Sequence, residues 1–269
     1  MENIIEVNKL VKEFKGFRAV DDISFYVQRG EVFGFLGPNG AGKSTTIKML
    51  CTLLRPTSGQ AKVAGYDIVK EPGLVREYVG IVAEKIILYD RLTALENLEF
   101  FGSLYHLDKK IIHDRAIKWL NTLEMGDWKN KQVGTFSTGM KQRVNIARAL
   151  LTEPKVMFLD EPTLGLDPQT SRSIRDFIKD LHQHGVTVIL TTHIMAEADE
   201  LSNTIAIIDH GKIIAIDTSQ NLKLKINKDQ ATLEDVFLQL TGRDMREETH
   251  QSIPSARGRH MFGAKSRIR

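Results

Sequence analysis

The stretch EVFGFLGPNGAGKSTTIKML, residues 31–50, decides the fold. A short apolar run ends at a glycine cluster, and a segment with helical character follows directly. Gly37 to Thr45 carry the spacing G-x-x-x-x-G-K-[ST], which is a phosphate-binding loop when a strand precedes it and a helix follows. Glycines let successive backbone N–H groups converge on phosphate oxygens without Cβ obstruction. Gly37, Pro38, Asn39, Gly40, Ala41, Gly42, Lys43, Ser44 and Thr45 are therefore expected to wrap a nucleotide's phosphates. The Lys43 ammonium is placed for the β- and γ-phosphates, and the Ser44 hydroxyl for Mg²⁺.

A phosphate loop of this type needs an acid at the end of a second buried strand. KVMFLDEP, residues 155–162, supplies Asp160 after four apolar residues, placed to hold Mg²⁺ directly or through water. Glu161 follows at once. Alternation along a strand would aim the two acids to opposite sides and give them different tasks. Glu161 is the candidate to polarise an attacking water. A third apolar run, VTVILTTH (186–193), ends on His193, and in an open parallel sheet the carboxyl ends of strands face the ligand crevice. His193 is expected near the γ-phosphate. The other histidines read as packing or surface residues, the His182/His184 pair included.

Working outward, strands and helices alternate along most of the chain, which implies a mostly parallel sheet with helices on both faces. IIEVNKLVKEF and AVDDISFYVQRG read as strands, AKVAGYDI as another, and YVGIVA as a buried one. From Thr93 to about Trp128 the pattern turns helical and interrupts the strands, as an inserted subdomain would. GTFSTGMKQRVNIARALL, residues 134–151, opens with a Ser/Thr/Gly cluster before an amphipathic helix. Ser137 is the expected N-cap. Gly139 leaves the first-turn N–H groups approachable, and such a helix end attracts anions.

Composition bounds the partners. The chain has 269 residues, 42% of them hydrophobic, and a formal net charge of +3, a balance without a nucleic-acid signature. The single cysteine, Cys51, excludes an internal disulfide and sits in an apolar setting that reads as core. No apolar run of 18 residues exists and the N-terminus is polar, so the expectation is a soluble cytoplasmic chain that meets a membrane only through a partner. Residues 245–269 include SARGRHMFGAKSRIR, with five basic residues and no acid, and read as a disordered basic tail.

The phosphate loop, the Ser-x-Gly helix start, FLDEPTLGLDP and the strand-terminal histidine occur in the order of the ATP-binding-cassette (ABC) ATPases. The chain resembles that family over roughly residues 3–220. The resemblance implies an α/β P-loop NTPase fold with a mostly parallel core sheet, an antiparallel β subdomain and a helical subdomain at about residues 93–150. It also implies a head-to-tail dimer that sandwiches two ATP molecules with Mg²⁺. In that dimer Ser137 and Gly139 would close on the γ-phosphate held by the other subunit, and Asp167 would communicate between the two nucleotide sites. By the same resemblance Phe14 would stack on adenine. Glu84 stands where the family normally has a glutamine that senses Mg²⁺ and the attacking water. A carboxylate there can still ligate Mg²⁺ but adds negative charge, so slower or differently coupled hydrolysis is expected.

Ile86, Ile87, Leu88 and Tyr89 follow Glu84, where family geometry places the groove for a permease's cytoplasmic helix; buried packing is the other reading. TLEDVFLQLTGRD (232–244) resembles the closing segment of daunorubicin-resistance-type exporter ATPases, so residues 1–220 form the expected ATPase domain and 221–244 an exporter-type C-terminal segment. The implied partners are a separate polytopic permease and a second ATPase subunit, identical or not, at the cytoplasmic face of the cell membrane. A stand-alone nucleotide-switched protein is the alternative from another class. A P-loop kinase comes third, with no use for the Ser-x-Gly helix or His193.

Overall fold

In the computed structural model, which describes residues 2–226, 228 and 230–242, the chain forms two sheets flanked by helices. β1 (Asn3–Phe14) and β2 (Phe17–Gln28) make a long antiparallel hairpin. β3 (Val32–Leu36) leads into α1 (Lys43–Leu50). β4 (Ser58–Val63), β5 (Tyr66–Asp67), α2 (Pro72–Tyr78) and β6 (Val79–Val82) follow. Next come α3 (Ala94–Leu104), α4 (Lys109–Thr122) and α5 (Thr138–Leu150), then β7 (Val156–Asp160). The remainder is α6 (Pro168–Gln183), β8 (Thr187–Thr192), α7 (Met195–Leu201), β9 (Thr204–Asp209), β10 (Lys212–Asp217), α8 (Ser219–Leu224) and α9 (Leu233–Thr241).

The core sheet runs β10-β9-β3-β8-β7-β6, and every pairing except β9–β10 is parallel. The second sheet, β2-β1-β4-β5, is antiparallel throughout. Both match the expected architecture. AKVAGYDI, expected as one strand, is instead a hairpin: Ala64 and Gly65 both take positive φ, 52° and 89°, and turn β4 back as β5.

Side-chain alternation sorts the parallel strands between two cores. Phe33, Phe35, Phe158 and Ile189 point to the side covered by α1 and the antiparallel sheet. Val32, Met157, Leu159, Val188 and Leu190 point the other way, onto α5 and α6. Phe25 joins the sheets, its ring 5.3 Å from both Phe33 and Phe35. Cys51 is buried in the first core, and burial pushes its thiol pKa well up, as fits a packing residue. A third cluster brings Leu233, Val236 and Phe237 of α9 against Leu36, Ile205 and Ile207, so the C-terminal helix is seated on the core sheet. The basic tail lies outside the described residues, as do the last two residues of the 221–244 segment. Among the described residues no helix is long and apolar enough to cross a membrane.

Strand order fixes the site. β3, β8 and β7 are adjacent and parallel, so their carboxyl ends bring residue 37, residue 193 and residue 160 to one edge of the sheet.

Candidate functional site

The loop after β3 depends on one backbone conformation. Gly42 is the N-cap of α1 with φ 105°, and a Cβ there would lie 2.4 Å from the Ala19 carbonyl oxygen of β2. A side chain at residue 42 is excluded twice, by backbone strain and by contact. Gly211 N–H donates to Ala41 O and Gly211 O accepts from Asp21 N–H, so the antiparallel hairpin and the β9–β10 turn hold the loop from behind. Asn39, Gly40 and Ala41 shape the turn, and Thr45 follows Ser44 in the first turn of α1.

Lys43 is buried, with its Nζ donating to Gly37 O at 2.6 Å and Pro38 O at 3.1 Å. It also pairs with Glu161 Oε1 at 3.2 Å. Burial lowers its pKa, and the charges of Glu161, Asp160 and Glu84 oppose that shift. Glu84 is exposed after β6 yet near enough for its charge to act on Lys43.

Asp160, at the end of β7, accepts on one oxygen from Ser44 Oγ (2.8 Å) and from Thr191 Oγ1 (2.7 Å). Glu161 is directed otherwise than strand alternation implies. It lies just beyond β7 with φ 50°, its N–H donating to both the carbonyl and the hydroxyl of Thr191. That left-handed step, and not the pleat, turns its carboxylate into the cleft. There Oε2 meets His193 Nδ1 at 2.9 Å while Oε1 faces Lys43. The geometry thus joins buried Lys43, Asp160 and Glu161 with half-buried Ser44 and His193 in one cluster at the carboxyl edge of the sheet.

The donor set suits a nucleotide with a hard cation. Among the described residues no group of three or more His, Cys, Asp or Glu could hold a metal alone. Ser44 and Asp160, already in contact, offer an oxygen pair that phosphate oxygens and water would complete around Mg²⁺. Glu161 Oε1 accepts no hydrogen bond of good geometry, and the Lys43 ammonium is turned back on the loop's own carbonyls. Both groups are poised to exchange partners when phosphate arrives.

A second group forms at the start of α5. Ser137 is its N-cap and accepts from Met140 N–H at 3.2 Å; the other first-turn donors have no acceptor within the helix. Gly139 has a reason the sequence conceals: a Cβ would come within 2.7 Å of Thr170 Cγ2 on α6. Thr170 in turn donates to Asp167, the N-cap of α6, through its N–H at 2.9 Å and its hydroxyl at 2.6 Å. Ser137, Gly139 and Asp167 are therefore neighbours. Gln142 on α5 ties them to the first cluster by donating to Pro162 O at 2.8 Å. Phe14 ends β1, 44% exposed and with Lys12 Nζ 5.0 Å from its ring centroid, in neither cluster.

Two contacts at or near the site escaped the sequence reading: the Thr191 support of Asp160 and Glu161, and a buried carboxylate at Glu197 that accepts from Thr163 Oγ1 at 2.7 Å. The run TTH announces Thr191; nothing local announces Glu197.

Comparison with known proteins agrees with this geometry. The ABC transporter family model matches residues 20–164, more than half of the chain. The doxorubicin resistance ATP-binding protein DrrA of Mycobacterium tuberculosis is 42% identical over 229 residues, covering 85% of this chain and 67% of that one. The linearmycin resistance ATP-binding protein LnrL of Bacillus subtilis is 41% identical over 84% of this chain and 73% of its own length. The probable multidrug ABC transporter ATP-binding protein YbhF of Escherichia coli is 42% identical over 89% of this chain, which spans only 42% of YbhF. Among solved structures, an ATP-binding subunit of an ABC transporter superposes with a TM-score of 0.80 at 31% identity, covering 88% of this chain and 99% of that one. The ATP-binding cassette MJ0796, a post-hydrolysis dimer with ADP and Pi, gives 0.73 at 27% identity, over 80% and 98% of the two chains. A strand-loop-helix cradle for phosphates, an acid pair behind it and these likenesses lead to one conclusion: the chain belongs to the ABC transporter family, as an ATP-binding subunit that hydrolyses ATP.

Proposed function

We propose that this chain powers an exporter of drug-like or lipid-like molecules by ATP-dependent dimerisation coupled to a separate polytopic permease at the cytoplasmic face of the membrane. The observation that carries the coupling is an aromatic face left open beside the nucleotide site. Ile87 and Tyr89 are 60% and 49% exposed just after Glu84; Phe100 of α3, against Tyr89, is exposed too, as are Leu104 at the end of that helix and its C-cap Tyr105. The face is stiff. Tyr89 packs on Phe100 and Phe101 at 5.0 and 5.8 Å, and Arg148 lies 4.8 Å over Phe101 while donating to Ile87 O. Buried Asn97 braces the segment by donating to Tyr89 O and accepting from Tyr89 N–H. An ordered apolar patch of this kind suits an amphipathic helix from a partner. The names of the relatives, doxorubicin, linearmycin and multidrug transporters, support export as the direction.

In this reading each residue has a task. The loop at residues 37–45 binds ATP's phosphates, with Lys43 neutralising β- and γ-charge. Ser44 and Asp160 hold Mg²⁺, with Glu84 as a further oxygen, and the ion supplies charge stabilisation for the phosphoryl group. Glu161 takes a proton from water, while His193 orients Glu161 and donates toward the γ-phosphate. Phe14 stacks on adenine. Ser137 and the Gly139 helix start bind the γ-phosphate of the other subunit, and Asp167 crosses the same interface. A helix N-terminus carries partial positive charge where phosphate charge must be stabilised. A dimer in the solved structure of MJ0796 supports the two-chain arrangement. Residues 1–220 act as the ATPase unit and 221–244 as its closing segment, whose helix α9 packs on the core sheet.

The test is to purify the tagged chain from membranes of its own cells in mild detergent. The proposal expects a polytopic membrane protein to co-purify and to be lost with Ile87→Asp. Recovery of the chain alone, where a control transporter stays whole, would leave a stand-alone nucleotide-switched ATPase.

A further inference from the structure

Glu197 is a buried acid outside the cluster formed by Lys43, Ser44, Asp160, Glu161 and His193. It is 3% exposed, in the first turn of α7, four residues after His193. Its Oε1 accepts from Thr163 Oγ1 at 2.7 Å, and its Oε2 has no hydrogen-bond partner among the described residues. Burial pushes its pKa up, the hydroxyls of Thr192 and Thr163 oppose that, and the charge of Glu161 adds to it. A half-satisfied buried carboxyl is a costly way to fill space, and an apolar side chain of that size would stabilise the fold at least as well.

What the carboxyl does that an apolar residue would not is hold Thr163. That residue lies two positions after Glu161, in the turn leading to Asp167. Leu164 N–H donates to Glu161 O and Leu166 N–H to Thr163 O, so the turn moves as one piece. Glu197 N–H donates to Ile194 O, which fastens Glu197 to the residue next to His193. The Thr163–Glu197 bond therefore joins the segment carrying Glu161 and Asp167 to the segment carrying His193.

We infer that Glu197 is a positioning residue: through Thr163 it sets the Glu161–Asp167 turn against the His193 helix start, and so fixes the 2.9 Å contact between Glu161 and His193. The inference rests on the proposed roles of Glu161 and His193. Glu197 touches neither nucleotide nor reacting atoms in this reading.

The test is MgATP turnover of the full chain, with melting temperature measured alongside. Glu197→Leu fills the space without an acceptor and Thr163→Val removes the donor. Each is expected to lower kcat about tenfold with KM for ATP within about twofold, because the misplaced group acts in the transition state. The double variant is expected to be no slower than either single one, since both remove the same bond. Glu197→Gln, whose amide oxygen still accepts from Thr163, is expected to recover most of the rate. Parent kcat in a folded Glu197→Leu or in Thr163→Val overturns the inference, as do losses that multiply in the double variant. If Glu197→Leu does not fold, Thr163→Val carries the test alone. Glu161→Gln is the control. If it abolishes turnover while Glu197→Leu and Thr163→Val run at the parent rate, only the positioning role fails. If it turns over normally, the reading of the site fails and this inference goes with it.

Discussion

Replacing Glu161 by Gln probes the exchange of partners at Lys43. The Lys43 ammonium is held by Glu161 Oε1 at 3.2 Å and by two loop carbonyls. A bound β-phosphate must take Lys43 from that carboxylate. Glutamine is isosteric and can still accept, but only as a neutral group. What the substitution removes is the ion pair itself, since the Lys43 ammonium stays charged; a charged partner outweighs a neutral one by roughly 1–1.5 kcal/mol, and the competition weakens by about that much. At about 1.4 kcal/mol per factor of ten, the variant should bind MgADP about tenfold more tightly. The loop carbonyls are exchanged in both proteins and cancel. MgADP is the right ligand because it is not hydrolysed, so affinity is read apart from turnover. Isothermal titration gives Kd, and phosphate release with MgATP gives the rate, which should fall by about 10²–10⁴ if Glu161 is the base. Equal ADP affinities in the two proteins would refute the competition. A rate within tenfold of the parent would refute the role of Glu161.

Gly42→Ala places a Cβ against Ala19 O at a φ of 105°, so the cradle must open; equilibrium binding of ATP should weaken by at least about tenfold, at a stability cost of about 1–3 kcal/mol by chemical denaturation. Glu84→Gln removes a negative charge that acts on Lys43 while keeping an oxygen for Mg²⁺, so MgATP affinity should rise by a few-fold in an equilibrium titration. Asp217 and Asp235 both have pKa values lowered to about 2, the first chiefly by Lys225 and the second chiefly by Lys228. Depressed carboxyl pKa values contribute stability above the unfolded value near 4 and lose it as pH falls towards 2. Asp217→Asn with Asp235→Asn should flatten that part of the acid stability profile, lowering stability by a constant amount above about pH 5 and converging with the parent as pH falls towards 2, as measured by urea melts across pH.

How far the site is legible in the sequence depends on the range of the contacts. Residues 37–45, Asp160 and His193 are set by short spacings on buried strands, and the parallel sense of the sheet follows from strand-helix alternation, whereas the crossover that puts β8 between β3 and β7 does not. The direction of Glu161 is not legible, because a φ of 50° held by Thr191, thirty residues away, overrides the pleat. The steric reason for Gly139 lies in Thr170 on another helix, and the bond of Glu197 spans thirty-four residues. Short elements are hidden for a different reason. α2 buries only Val75, so it presents no apolar stripe to read, and α8 is six residues long.

The central claim is that two chains close on ATP, the phosphate loop of one meeting the Ser137–Gly139 helix start of the other. Light scattering behind a sizing column, on Glu161→Gln protein, tests it most directly. The expected masses are those of two chains with MgATP, of one chain with MgADP, and of one chain with MgATP once Ser137→Arg is added. A Glu161→Gln protein that binds MgATP and stays a single chain would contradict it.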